Sequence, residues 1–242
     1  MDLFNTWLVE KYIAHRGLHN DKLPENSLGA FENAAQNGYP IELDVHLLKD
    51  GEIAVFHDDS LARVTGKDGY IGNLCKEDLK TYNLLGTEYT IPTFDEVLSL
   101  VAGRVPLLIE VKNPDKVGRL EELLYKKLKE YSGEYAIQSF NPFVLKWFKD
   151  NAPEVLRGQL SGYLKDSGLC FFKRFFLKRM SLNKKVSEPH FISYEAKTLP
   201  NRFVNRYKKL PLLAWTVDSQ EEYMRVVKYC DNIIFQNFIP KI

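Results

Sequence analysis

The sequence predicts an α/β protein of the TIM (β/α)8 barrel class. Short apolar runs alternate with helix-like segments, eight of these runs qualify as parallel strands, and several end in polar residues. In such a barrel the carboxyl ends of the strands face a common active-site side. The length of 242 residues also suits a fold that typically takes about 250 residues.

The first elements are two strands with a helix between them. Tyr12–His15 predicts a short strand. Ser27–Asn37 predicts a helix that is capped by Asn26 or Ser27 and is followed by a glycine. Ile41–Leu47 predicts the second strand, because its apolar residues continue without a helical period.

A tight turn at Lys49-Asp50-Gly51 predicts a hairpin whose return arm is Ile53–His57. Parallel strands need a crossover of about a dozen residues. The return arm is therefore antiparallel, is not one of the eight barrel strands, and is expected to bring His57 roughly opposite Asp44. Residues 58–90 contain four glycines and little periodicity, so we expect an inserted loop or small subdomain over the site.

From residue 92 onward, helices and strands alternate regularly. A doubly wound open sheet is the alternative, but no GxGxxG or P-loop follows any strand. We therefore expect one barrel domain over residues 1–242, interrupted by the insertion at about 58–90. The predicted helices are Pro92–Val101, Lys116–Tyr131, Pro142–Asn151, Leu199–Tyr207 and Gln220–Tyr229. The predicted strands are Pro106–Val111, Tyr135–Phe140, Leu156–Leu160, Phe191–Tyr194, Leu212–Val217 and Asn232–Gln236.

Composition narrows the class of protein. A hydrophobic content of 45% with 27% charged residues is ordinary for a globular protein, and a net charge of +1 gives no reason to expect a nucleic-acid partner. The cysteines Cys75, Cys170 and Cys230 are far apart, which favours reduced thiols and a cytoplasmic location. The first residues lack a signal-peptide pattern, and no apolar run is long enough to span a bilayer.

Acidic residues at the predicted strand ends indicate a cation site. Glu42 and Asp44 alternate on one strand face, and Glu110 ends another strand. Three converging carboxylates repel one another unless a cation lies among them, and oxygen ligands favour Mg²⁺ or Ca²⁺. Arg16 and Lys112 add positive charge that suits a phosphoryl oxyanion.

Two histidines, His15 and His57, complete the predicted reaction chemistry. A phosphodiester needs a base for the nucleophile and an acid for the leaving alkoxide, and paired imidazoles can provide both. We therefore predict metal-assisted cleavage of a phosphodiester. The other three histidines are assigned to the core or the rim: His19, His46 and His190.

The motifs HRG, PENS, ELDVH, FHD, LARVTGKDG, IPTFDEVL, LLIEVKN, IQSFNP and LLAWTVD make the chain resemble the glycerophosphodiester phosphodiesterase family. The resemblance implies a TIM barrel that hydrolyses glycerophosphodiesters to glycerol 3-phosphate and an alcohol. In such enzymes a glycerol hydroxyl can attack phosphorus, and water then opens the cyclic phosphate.

The resemblance also implies a role for each matching residue. Glu42, Asp44 and Glu110 match the metal ligands, His15 and His57 the acid/base pair, and Arg16 and Lys112 the phosphate-side cations. Trp215 and Gln138, at the ends of later strands, are expected to bind substrate, although barrel core is an equal alternative for Trp215. Glu25 is expected to orient Arg16 or His15.

Two departures from the family pattern affect the expected pocket rim. Asp218 follows WTV where asparagine is usual, and the last strand is IIFQNF rather than the common ITDxP ending. Neither departure involves the expected catalytic set. They concern substrate preference.

The segment from 169 to 185, LCFFKRFFLKRMSLNKK, interleaves phenylalanines with lysines and arginines. A barrel helix that buries its aromatics explains the pattern, and an interfacial helix on anionic lipid is the alternative. The second possibility would favour a lysophospholipase D-like activity on membrane lysophospholipids. A non-catalytic barrel that binds phosphorylated polyols is disfavoured because the polar set is intact. The sequence leaves open the head group, the choice between Mg²⁺ and Ca²⁺, and the oligomeric state.

Overall fold

A computed structural model describes residues 2–113, 116–164 and 171–241 of the chain. The strands are β1 (Ile13–Ala14), β2 (Ile41–Leu47), β3 (Ile53–Val55), β4 (Leu107–Val111), β5 (Tyr135–Ser139), β6 (Leu156–Ser161), β7 (Phe191–Glu195), β8 (Leu212–Val217) and β9 (Asn232–Phe235). The α-helices are α1 (Trp7–Glu10), α2 (Leu28–Gln36), α3 (Ala62–Thr65), α4 (Phe94–Val101), α5 (Arg119–Lys129), α6 (Pro142–Asn151), α7 (Phe171–Arg179) and α8 (Gln220–Val226).

The strands are hydrogen-bonded in the order β1-β9-β8-β7-β6-β5-β4-β2-β3, and β1 also pairs with β2. With β3 set aside, this is the strand order of a closed eight-stranded parallel barrel with flanking helices. The predicted TIM barrel is confirmed. The chain consists of two compact units. One is formed by Ala14–Tyr135 and the other by Met1–Ile13 with Ala136–Ile242.

In the Ala14–Tyr135 unit, the predicted helices form because their caps are well placed. The Ser27 hydroxyl accepts the Ala30 N–H at the start of α2. Thr93 and Glu96 form a reciprocal capping box at the start of α4. The strand predicted at 41–47 is confirmed at both ends.

The hairpin is antiparallel as predicted, with Val45 opposite Val55. Its register differs by one residue from the expectation, because Phe56 lies opposite Asp44 and donates its N–H to the Asp44 carbonyl at 3.0 Å. The reason is the three-residue turn centred on Asp50, which closes with a 2.8 Å bond from Leu48 N–H to the Glu52 carbonyl. His57 therefore lies one position beyond Asp44.

The insertion at 58–90 and the hairpin share a hydrophobic cluster. Short helical turns supply Val64, Ile71 and Leu79, and the ring of Tyr89 occupies the space where a side chain at Gly29 of α2 would lie. The buried cluster consists of Leu48, Ala54, Phe56, Leu61, Val64, Ile71, Leu74, Leu79, Leu84 and Ile91. The insertion is a packed part of its unit.

In the other unit, β5 to β9 alternate with helices as predicted, with one exception. The helix expected at 199–207 is wrong, because the segment forms only one short 3-10 turn, Val204–Tyr207, and another, Ala196–Thr198, precedes it. Pro200 disfavours helical backbone at the residue before it, and Leu199 is extended with φ −86° and ψ 143°.

The basic aromatic segment forms α7, while Leu169 and Cys170 lie outside the described residues. Phe175 is partly buried, and the Arg179 guanidinium carbon lies 4.8 Å from the centre of its ring. Phe176 remains 51% exposed. Among the described residues, none of the helices is both long and apolar enough to cross a membrane.

Candidate active site

Three carboxylates meet at adjacent strands of the Ala14–Tyr135 unit. Glu42 and Asp44 lie on β2, and the parallel register of β2 with β4 sets Asp44 beside Glu110. The side chains of all three are buried, and one oxygen from each lies within 4.8 Å of the others. The predicted carboxylate set is therefore brought together.

A left-handed turn after β1 aims both ends of Arg16 at this cluster. Arg16 has φ 54°, an uncommon conformation for a residue with a side chain. Its backbone N–H donates to the Glu42 carboxylate at 3.1 Å, and its Nε lies 3.5 Å from Asp44 Oδ2. Gly17 follows with φ 82°, and a Cβ there would lie 2.9 Å from the Ala30 backbone. The glycine of the HRG motif is thus required by both its conformation and its packing.

Lys112, just after β4, supplies a second positive charge. Its ammonium lies 3.1 Å from Asp44 Oδ1 and 2.5 Å from Glu110 Oε1. Burial acts to raise the pKa of Asp44, but the charges of Lys112, His57 and Arg16 outweigh it and hold that pKa well below its usual value. Burial, with repulsion from Asp44 and Glu110, raises the pKa of Glu42 well above its usual value.

Asn26 holds the central carboxylate in place. Its side-chain amide donates to Asp44 Oδ2 at 2.9 Å, and its own backbone is left-handed with φ 55°. Ser27, rather than Asn26, caps α2. The contact of Asn26 with Asp44 was not expected from the sequence, since PENS reads equally well as an ordinary helix start.

The donor set fits a hard divalent cation. Asp44 Oδ1 is buried, and the Lys112 ammonium lies 3.1 Å from it. Oxygens on opposite sides of a Ca²⁺ are roughly 5 Å apart, which matches the spread of the three carboxylates. Glu42, Asp44 and Glu110 would hold the ion.

The two predicted acid/base histidines lie in the same unit. His15 Nε2 is 3.9 Å from Glu42 Oε2, and His57 Nδ1 is 2.5 Å from Asp58 Oδ1. His46 is buried on β2, the first arm of the hairpin, where its Nε2 is 3.1 Å from the His57 carbonyl oxygen. Burial lowers the pKa of His46, in keeping with the structural role expected for it.

Gln138 and Trp215 belong to the other unit. Gln138 is buried at the end of β5 and accepts a 2.8 Å bond from the Ser193 hydroxyl. Trp215 on β8 packs edge to face on Phe140 at 5.5 Å, and its indole Nε1 is buried without a hydrogen bond. Their substrate-binding roles stay predictions.

Residues 15–239 match the model of the glycerophosphoryl diester phosphodiesterase family. The chain belongs to this family. A glycerophosphodiester phosphodiesterase of Caldanaerobacter subterraneus is 31% identical over 227 residues, which cover 89% of each protein. The human lysophospholipase D GDPD1 is 27% identical over 90% of this chain and 80% of its own length.

This chain has the fold of a solved phosphodiesterase of Oleispira antarctica, which is in complex with the product sn-glycerol-3-phosphate. The two are 24% identical with a TM-score of 0.79, over 94% of this chain and 93% of that one. The family and the enzyme class implied by the motifs are confirmed.

Two further charged residues of this phosphodiesterase reach the site and were not assigned from the sequence. Asp58 contacts His57, and Arg63 of α3 bonds both Asp58 and Glu25. Glu25 in turn accepts from Arg16 Nη1 at 2.7 Å, as expected for an orienting residue. Asp58 and Arg63 are part of the FHD and LARVTGKDG motifs, but nothing in these motifs indicates which carboxylates Arg63 contacts.

Proposed function

We propose that this phosphodiesterase hydrolyses glycerophosphodiesters to glycerol 3-phosphate and an alcohol, using one Mg²⁺ or Ca²⁺ and a pair of histidines. The observation that carries the proposal is the buried Glu42–Asp44–Glu110 cluster, which lies against Arg16 and Lys112. The product named for the Oleispira antarctica structure has the corresponding chemistry.

Each group of this chain has a chemical task in the proposed reaction. The Arg16 guanidinium and the Lys112 ammonium neutralise phosphoryl oxygens as negative charge develops. One of His15 and His57 removes the proton from the attacking glycerol hydroxyl, and the other protonates the departing alkoxide, which leaves as the alcohol. Water then opens the resulting cyclic phosphate to glycerol 3-phosphate. A divalent cation, when bound, contributes Lewis-acid polarisation of the phosphoryl group.

Release of glycerol 3-phosphate from glycerophosphocholine tests the reaction, measured with Mg²⁺, with Ca²⁺ and with excess EDTA. We expect EDTA to abolish turnover and one cation to restore it. His15→Ala and His57→Ala should each lose at least a hundredfold in kcat, whereas the control His190→Gln should keep wild-type turnover. Full turnover in either alanine variant would refute the acid/base assignment, and turnover in EDTA would refute the need for the cation.

A lysophospholipase D-like activity is the second candidate. It is supported by the similarity to human lysophospholipase D GDPD1 and by the exposed Phe176 on the basic helix α7. Such a helix suits contact with anionic lipid. Flotation with phosphatidylserine vesicles and turnover of lysophosphatidylcholine test it, and Phe176→Ser should reduce both without changing the hydrolysis of glycerophosphocholine.

No binding of these vesicles by the wild-type protein would end the membrane proposal. The absence of turnover on both substrates, with every cation, would favour a non-catalytic barrel that binds phosphorylated polyols. We also propose a cytoplasmic location, which is supported by the wide spacing of the three cysteines in the sequence.

A further inference from the structure

A chain of hydrogen bonds runs from Arg16 to His57 through three residues outside the proposed chemistry. Arg16 donates to Glu25, Glu25 accepts from Arg63, Arg63 donates to Asp58, and Asp58 contacts His57. The chain joins the residue proposed to hold phosphate to one of the two proposed proton-transfer groups. Its central member is supplied by the inserted segment.

Arg63 is built into this chain by four hydrogen bonds. Its Nε and Nη2 donate to the two oxygens of Asp58 at 2.6 and 3.1 Å. Its Nη1 and Nη2 donate to the two oxygens of Glu25 at 2.8 and 2.7 Å. A guanidinium has five N–H donors in a planar fork, so double bidentate pairing uses nearly all of them and fixes both carboxylates. A lysine has no such fork.

The charge state of Asp58 decides the tautomer of His57. Burial acts to raise the pKa of Asp58, but its bonds to His57 and Arg63 outweigh burial and hold that pKa below its usual value. An ionised carboxylate can only accept hydrogen bonds. His57 Nδ1 must therefore carry the proton, and Nε2 is the nitrogen left for proton transfer with substrate.

Glu25 is fixed in the same way on the other side. Although burial opposes it, bonding to Arg63 and the charge of Arg16 lower the pKa of Glu25 to about 2. Because Glu25 engages Nη1 of Arg16, it sets the plane of that guanidinium. A movement of Arg63 would therefore displace the phosphate-side cation as well as the histidine.

We propose that Arg63 is a positioning residue for the phosphodiesterase reaction, which acts through Asp58 on His57 and through Glu25 on Arg16. The inference rests on the proposed function, because it takes the roles of His57 and Arg16 from there. It assigns to the inserted segment a part in organising the site. A purely structural ion pair between the insertion and the barrel is the competing explanation.

Arg63→Met is the first test, because it keeps the aliphatic stem and removes every donor. We expect kcat to fall at least tenfold and KM for glycerophosphocholine to rise several-fold, measured well below the melting temperature. Arg63→Lys should recover part of the loss. The matched control is Arg104→Met, which removes another bidentate arginine pair, with Glu32, and should leave both constants unchanged.

The contacts of Arg63 with Asp58 and with Glu25 should affect different kinetic constants. Asp58→Asn should lower mainly kcat, and Glu25→Gln should raise mainly KM. If Arg63 acts through Asp58, the loss in kcat of the Arg63→Met/Asp58→Asn double variant should be well below the product of the single losses. Multiplicative losses would overturn the assignment.

Nitrogen-15 NMR of the imidazoles measures the tautomer of His57 independently of any enzyme activity. In the wild-type protein, His57 should be the Nδ1–H tautomer at pH 8, and Arg63→Met should mix the tautomers. If the wild type hydrolyses no glycerophosphodiester, the proposed function fails while this spectrum still tests the hydrogen-bond chain. If the wild type is active and Arg63→Met matches Arg104→Met in kcat and KM, the inference itself is wrong. Should Arg63→Met not fold, the same comparisons are made with Arg63→Gln, which also removes the charge, and wild-type constants and spectrum there would be equally decisive.

Discussion

Replacing Gly17 by alanine separates two reasons for the glycine of the HRG motif. The first is its backbone, since φ is 82°, a region that costs a residue with a Cβ about 1–2 kcal/mol. The second is its packing, since a Cβ would lie 2.9 Å from both the carbonyl carbon and the Cβ of Ala30. Overpacking of this kind costs about 1–3 kcal/mol when backbone must move.

The two contributions predict a loss of about 2–5 kcal/mol in the free energy of unfolding for Gly17→Ala. Gly66→Ala is the matched control, because φ is 68° there and nothing lies within 4 Å of the added Cβ. It should lose about 1–2 kcal/mol, from the backbone alone. The entropy that alanine removes from the unfolded chain is common to both variants and cancels.

Urea denaturation followed by circular dichroism gives both free energies with unchanged m-values. The difference between the variants should be about 1–3 kcal/mol. Equal losses would refute the packing argument, and no loss in either would refute the conformational one. Since Gly17 follows Arg16, the displaced turn should also weaken the backbone bond to Glu42 and lower the affinity for Ca²⁺ in titration calorimetry.

Three further predictions concern polar groups that are buried or partly buried. Asn26→Ala should weaken the binding of Mg²⁺ or Ca²⁺ by about 10–100-fold, because it frees the Asp44 carboxylate to rotate. The control Asn33→Ala should bind the cation as the wild type does. Equal affinities for the wild type and both variants in titration calorimetry would contradict this role of Asn26. Lys112→Met should lose about 3–5 kcal/mol of unfolding free energy in EDTA, because it leaves buried carboxylates without their cation. Excess Ca²⁺ should narrow the deficit, and a failure of Ca²⁺ to stabilise either protein would refute the cation site. Burial and the charge of Arg157 lower the pKa of His190 to about 4, whereas in the unfolded chain the pKa is about 6.5. The neutral imidazole should therefore contribute its full stability above pH 6.5, and this contribution should be lost as the pH falls to about 4. His190→Gln should flatten this part of the pH–stability curve measured by urea denaturation, and a curve parallel to the wild type would show that another group is responsible.

Local chemistry explains why most elements were predictable. β2, α6 and β8 begin and end where the apolar runs and caps indicate, because those signals act within a few residues. In the segment 199–207, where a helix was expected, Pro200 accounts for the extended backbone of Leu199, and only Val204–Tyr207 forms a 3-10 turn. The one-residue register difference at His57 arose from the geometry of the turn, which depends on how the three loop residues close.

The sequence by itself determined the family and the barrel and selected the candidate carboxylates and histidines, because alternation along strands and motif spacing are properties of the chain read in order. Tertiary structure alone decided which charges meet. Arg63 contacts Glu25, 38 positions away, and Asn26 contacts Asp44, 18 positions away. Hydrogen bonds between residues so distant in sequence depend on how the connection from β1 to α2 packs beside β2 and on how the insertion packs. Both are set by burial of a shared core rather than by local pattern.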